Sequence, residues 1–236
     1  VGLPPGDFEF SGGGIELCRR IGSHGMYLNI KRNRISLHDF TMRFVGTPSN
    51  NAISMRGSGG DYPSLNTRLD NIIFDRCTGP VRIGDSTTSN RTHNIICSNL
   101  QGCDIAMAEA RNVTIVGGNL GTITAVEDVD GLIISSLTAH NIDLSPSDRI
   151  DNAIITGVKL RGLLTMGRVY GLEVDDLQFK NAYAESLILV SGLYDWVETS
   201  TNREYYLRLR ATAGDPGISS PSMVQIRNKV FSVSAG

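Results

Sequence analysis

The chain has no strong charge of one sign: 22 Lys and Arg against 24 Asp and Glu leave a net charge of −2 and a pI near 6.1. That balance argues against a protein that holds nucleic acid by neutralising phosphates, so no nucleic-acid partner is expected. No apolar run approaches the roughly 18 residues of a membrane span, so membrane insertion is not expected either. The opening VGLPPGDFEFSGGG lacks the basic-then-apolar order of a signal peptide. The first residue is Val1 rather than Met, which points to a fragment or a processed chain.

Catalytic signatures are equally sparse. There is no G-x-S-x-G elbow, no P-loop, and no G-x-G-x-x-G opening a helix. The four histidines, His24, His38, His93 and His140, are scattered, so no metal or other cofactor is expected. Cys18, Cys77, Cys97 and Cys103 form no CxxC. Reduced thiols packed in a core, made in a reducing cytosol, are the expectation. Helical spacing never persists for three turns through the repeats described next.

What the sequence does have is a repeat. Counting from Asn112 as register zero, matching positions fall at Gly14, Arg34, Asn71, Asn94, Gly131, Asn152 and Gly171. Most steps span 18 to 23 residues. The longer step from Arg34 to Asn71 holds a Gly/Ser/Asn-rich stretch, read as an inserted loop near 46–68 around a short Ile53/Met55 strand. Positions +1 and +3 are apolar: Ile72 and Phe74, Ile95 and Cys97, Val113 and Ile115, Leu132 and Ile134, Ala153 and Ile155, Leu172 and Val174. Alternation of period two marks strands with one face inward. Phe40, Leu100, Leu137, Val158 and Leu177 add an inward position at +6, and a second short strand begins near +11 at Ile105, Ile123 and Ile142.

A unit of about twenty residues cannot bury its own apolar face, but stacked units can, each strand pairing with its equivalent roughly 4.8 Å along the axis. The expected fold class is therefore all-β: a single-stranded right-handed parallel β-helix, or solenoid, with a C-terminal β cap. The right hand follows the general crossover preference. The division expected is a lead-in segment over 1–13, the helix over 14–192, and a β cap or hairpin unit over 193–236, where Gly214-Asp215-Pro216-Gly217 signals a turn. Asn at register zero suits a left-handed turn residue, and stacked Asn side chains would form a partial ladder.

Position +2 points outward and reads Ile73, Ile96, Thr114, Ile133, Ile154 and Glu173. Four isoleucines stacked on one outer face make a stripe rarely left to water, and Ile73, Ile96, Ile133 and Ile154 are read as an oligomer interface, most simply of a homotrimer. The remaining chemistry lies with carboxylates, since glycoside cleavage uses two of them about 5 to 9.5 Å apart. Asp104 and Asp143 stand near the second strand, two units apart, while Glu127, Asp128 and Asp130 crowd one turn. Asp175 and Asp176 are adjacent at +4 and +5, with Asp75 counted in the same column, and are the candidate catalytic acids.

Irregular units rich in N-[IVL]-x-[IVF], with GDFEFSGGG before them, resemble the pectate-lyase-like right-handed β-helix superfamily over roughly Gly12 to Gly192. Within it, the sequence is most similar to the β-helical parts of bacteriophage tailspikes and tail-fibre receptor-binding proteins. The N-T-D, G-H-G and R-I-K motifs of polygalacturonases are missing; only Asp175-Asp176 stands, and Ser23-His24-Gly25 lies on the wrong side of it. The resemblance implies a virion-associated homotrimer, assembled in the host cytoplasm, that recognises bacterial surface glycan. Arg56, Asp61, Tyr62, Tyr183, Tyr194 and Trp196 are the candidate binding residues, as aromatics and polar groups on loops or the cap. The alternatives are a glycan depolymerase and a non-binding structural shaft.

Overall fold

The computed structural model describes residues 7–16, 25–29, 34–43, 51–56, 66–84, 92–144, 147, 149–162, 164–179, 188–198, 209–210, 223–226 and 229–232; from Met166 onward it describes the course of the backbone. Every regular element among the described residues is a strand, so the all-β expectation holds. No helix is long and apolar enough to cross a membrane among the described residues.

The strands are β1 (Asp7–Ser11), β2 (Gly14–Glu16), β3 (Met26–Asn29), β4 (Arg34–Arg43), β5 (Ile53–Arg56) and β6 (Thr67–Asp75). They continue with β7 (Val81–Ile83), β8 (Thr92–Gln101), β9 (Ile105–Met107), β10 (Ala110–Ala125), β11 (Val129–Ser135) and β12 (Thr138–Leu144). The last are β13 (Ile150–Leu160), β14 (Leu164–Phe179), β15 (Ile188–Glu198), β16 (Leu209–Arg210), β17 (Met223–Ile226) and β18 (Lys229–Ser232).

Among the described residues, pairing is parallel except in the β17–β18 hairpin. One ladder runs β1, β4, β6, β8, β10, β11, β13, β14 and β15, each strand beside its equivalent in the next rung. A further ladder joins β3, β5, β7 and β9 to the later parts of β10 and β12 and the start of β14. Inward columns are apolar and nearly sealed from water. Ile35, Ile95, Val113, Leu132 and Ala153 fill one; Leu37, Leu69, Cys97, Ile115, Ile134 and Ile155 fill the next. Each fully buried aliphatic side chain contributes about 1.5–3 kcal/mol, which a free-standing rung would forgo.

Pairing corrects the register of two units. Ile35 pairs with Thr67 and Thr67 with Ile95, so the register-zero residue of that unit is Asn66, not Asn71, and Ile72 belongs to the +6 column with Phe40 and Leu100. Asn71-Ile72-Ile73-Phe74 mimics the repeat motif, whereas the true inward pair is Thr67 and Leu69. Thr67 is fully buried with its hydroxyl unpartnered, so it fills a hydrocarbon site by shape alone. Likewise Asp7 pairs with Arg34 and Gly14 with Thr41, so register zero of the first rung is Asp7 and the segment before Gly14 already belongs to the ladder.

The surplus residues are consequently spread over three rungs. Register partners lie 27, 32 and 28 residues apart at Asp7–Arg34, Ile35–Thr67 and Thr67–Ile95, against 18 at Ile95–Val113. The parallel pairing also continues past the expected boundary at 192, with Val174 opposite Glu198. The C-terminal hairpin lies within Met223–Ser232, Ile226 facing Lys229, while Leu209–Arg210 pairs in parallel with β15. The expected turn at Gly214–Gly217 lies outside the described residues.

Candidate functional site

Left-handed residues recur at fixed register along the ladder as far as β13. Asn66, Asn94, Asn112, Gly131 and Asn152 do so at register zero, with φ of 52°, 56°, 52°, 75° and 56°. A second column, at +5, holds Asp39, Asn71, Asn99, Gly117, Ser136 and Gly157. Asn, Asp and Gly tolerate this backbone region, so the sequence chooses them where the chain must bend.

On the second to fourth rungs the bend at +4 and +5 gathers polar side chains, joined by Glu9 from +2 of the first. His38 Nε2 lies 2.8 Å from Glu9 Oε1, and its Nδ1 lies 2.7 Å from Asp39 Oδ2. Asn71 Nδ2 donates to Asp39 Oδ1 at 2.6 Å. One rung on, Asp70 accepts from Arg68 at 2.9 Å and from the Ser98 hydroxyl at 2.7 Å, with the Asn99 amide at 3.4 Å. This corner is a rack of carboxylates, amides and a hydroxyl repeating at the rung spacing. Hydrogen bonding to Asp39 and then to Glu9 raises the His38 pKa above its usual 6.5. The same bond from His38, with that from Asn71, holds Asp39 below its usual 3.8.

Asp175 and Asp176 fall in these same columns on β14: Asp175 pairs with Thr156, and Asp176 follows in the register of Gly157. Asp75 does not share their column. It pairs with Arg43, and Arg43 Nε donates to Asp75 Oδ2 at 2.9 Å. The acid in the Asp175 column is Asp70, five rung steps away through β8, β10, β11 and β13, or about 24 Å. That separation is too wide for any two-carboxylate mechanism. Asp104 serves the backbone, its Oδ1 accepting from the Thr122 amide at 2.7 Å.

The outward stripe is also re-sorted. Ile96, Ile133 and Ile154 share the +2 column, interrupted by Thr114, and are 40%, 38% and 37% exposed. Ile73, at 48%, stands in another column between Thr41 and Gln101, because the register of its unit moves by five residues. Among the binding candidates, Tyr194 takes the register of Tyr170 and Asp151, and Trp196 that of Leu172 and Ala153, the latter in an inward column. Arg56 ends β5 in register with Asn29. Asp61, Tyr62 and Tyr183 lie outside the described residues.

Sequence reasoning passed over the corner because each residue alone reads as a solvated turn. The available signal was the recurrence of two polar residues immediately before an inward +6 residue: His38-Asp39-Phe40, Asp70-Asn71-Ile72, Ser98-Asn99-Leu100 and Asp175-Asp176-Leu177. No group of three or more His, Cys, Asp or Glu is arranged to hold a metal ion among the described residues. Cys97 and Cys103 are buried free thiols, as expected, and Cys77 is a half-buried one; Cys18 lies outside the described residues. Searches with family models, among curated proteins and among solved structures found no match.

Proposed function

We propose that the parallel ladders form a right-handed parallel β-helix closed by the C-terminal hairpin, and that the protein recognises bacterial surface polysaccharide as a homotrimer in a phage tail. The right hand follows the crossover preference of parallel strands. The observation that carries the glycan reading is the corner of Glu9, His38, Asp39, Asp70, Asn71, Ser98 and Asn99. It offers acceptors and amide donors at rung spacing, matched to a chain of hydroxylated rings. Half-exposed Ile96, Ile133 and Ile154 support assembly, and the rung pattern's resemblance to tailspikes supports the phage setting. Buried free Cys97 and Cys103 suit assembly in a reducing host cytoplasm.

The test is binding of the intact protein to purified lipopolysaccharide and capsule panels. Saturable binding that is weakened by Asp70→Ala with Asn99→Ala supports the reading; binding to no glycan, or binding indifferent to that pair, overturns it. Mass in solution tests the assembly, which Ile133→Asp with Ile154→Asp dissociates. A depolymerase is favoured by one observation, that Asp175 and Asp176 occupy the corner columns. Release of reducing ends, abolished in Asp175→Asn with Asp176→Asn, would establish that reading; shaft-only function would show neither binding nor release.

A further inference from the structure

Strand β1 is held to the ladder in three ways: its register with β4, the edge-to-face contact of Phe10 with Phe40 at 5.0 Å and 87°, and a side-chain bridge through His38. The bridge has a particular proton requirement. Both ring nitrogens of His38 face carboxylates, Nε2 toward Glu9 and Nδ1 toward Asp39. Ionised carboxylates only accept hydrogen bonds, so both contacts exist together only when the ring carries both protons. A neutral imidazole keeps one N–H and turns a lone pair toward the other carboxylate.

We propose that Glu9, His38 and Asp39 form a proton-gated clamp that fastens the first strand to the rest of the ladder and releases Glu9 when the imidazole loses a proton. Asp39 keeps its bond, because it is adjacent in the chain and is itself fixed by Asn71 at 2.6 Å. Glu9 has no such second hold among the described residues, and its side chain is 68% exposed. The charged groups facing His38 are Glu9 from β1, Asp39 from its own strand and, from β6, its register partner Asp70, which is paired with Arg68. Hydrogen bonds to Asp39 first and then to Glu9 raise the pKa of His38 above 6.5. A raised histidine stabilises the docked strand fully below the unfolded value near 6.5, and that stabilisation is lost as pH rises through the folded value. The Phe10–Phe40 contact is indifferent to pH, so the strand loosens without the rungs beyond it separating.

Amide exchange in the intact chain, corrected for intrinsic rates, tests the clamp. The reporter is Gly12, whose N–H donates to the His38 carbonyl at 3.3 Å, together with the β1 amides. Their protection is expected to drop across the His38 titration while β11 and β13 keep theirs, and Glu9→Gln is expected to remove the step. An equal step in Glu9→Gln, or none in the wild type, overturns the proposal. Nitrogen NMR of His38 in the wild type provides a second reading that needs no variant: a doubly protonated ring with a midpoint above 6.5 is required, and a midpoint at or below it contradicts the clamp.

Discussion

The side-chain amide of Asn112 donates to Asn94 Oδ1 at 3.1 Å, one rung along the register-zero column. Both residues are left-handed, at φ of 52° and 56°, so each does two jobs: it bends the backbone and it links its rung to the next. Gly131 continues the column without a side chain, and a Cβ there would meet Asn112 Oδ1 at 2.9 Å.

Separating the two jobs gives a first prediction. Asn112→Ala loses the hydrogen bond, about 1 kcal/mol, and places an ordinary residue in the left-handed region, roughly another 1 kcal/mol. Asn112→Gly keeps the backbone comfortable and loses only the bond. Chemical denaturation of the two variants should therefore order them wild type, Gly, Ala in falling stability, with Ala lowest by about 1 kcal/mol relative to Gly.

Neighbouring residues on β11 should behave oppositely. Ile134 is fully buried and Ile133 is 38% exposed. Truncating Ile134 to Ala leaves a cavity and costs about 2–5 kcal/mol, whereas Ile133→Ala, measured on the dissociated chain, stays within about 0.5 kcal/mol. Comparable losses at both sites would mean that the outer face is covered within the chain.

This alternation was legible in the sequence from Asn94 to Gly171 because every +1 and +3 position there is hydrocarbon or Cys and every register-zero residue is Asn or Gly. It failed where chemistry and shape parted. Thr67 is β-branched and buried but polar, so Asn71-Ile72-Ile73-Phe74 looked like the better match and displaced the register by five residues. Ile73 and Asp75 were assigned to the wrong columns as a result. The corner stayed hidden for a related reason: Asp39, Asp70 and Ser98 are far apart in sequence, and only pairing of β4, β6 and β8 brings them together.

Asp39 supplies a prediction in acid. Its pKa is lowered first by the hydrogen bond from His38 and then by that from Asn71. A depressed carboxylate contributes stability that is present above its ordinary 3.8 and is lost as pH falls through the folded value. Carbon NMR of the Asp39 carboxyl should show a midpoint below 3.8, moving upward more in His38→Ala than in Asn71→Ala. Equal movement in the two variants would contradict the order of causes.

Thiol labelling should discriminate among the described cysteines. Burial pushes the Cys97 thiol up to about 12 and raises Cys103 well above its usual range. Cys77 is only half-buried, its Sγ lying 3.4 Å from the Met42 carbonyl. Since the thiolate is the reacting species, iodoacetamide at pH 8 should modify Cys77 in the folded protein and reach Cys97 and Cys103 only on unfolding. Peptide mapping after a timed quench reads the order directly.

The glycine that follows β7 tests packing between strands. Gly84 has φ of 85°, and a Cβ there would lie 1.7 Å from the Ala108 carbonyl oxygen, which is backbone and cannot swing aside. Gly84→Ala should therefore cost about 3–4 kcal/mol, seen as a large fall in Tm.

The account depends most on Asp70, Asn71, Ser98 and Asn99 standing in one corner, and a disulfide trap measures that register. Asp70 and Ser98 are direct partners on adjacent parallel strands, and strand spacing of about 4.8 Å falls within the reach of a disulfide. Mild oxidation of Asp70→Cys with Ser98→Cys should give a 70–98 cross-link on peptide mapping, while Asp75→Cys with Ser98→Cys should give none. A 75–98 cross-link in place of 70–98 would contradict the register, and the corner with it.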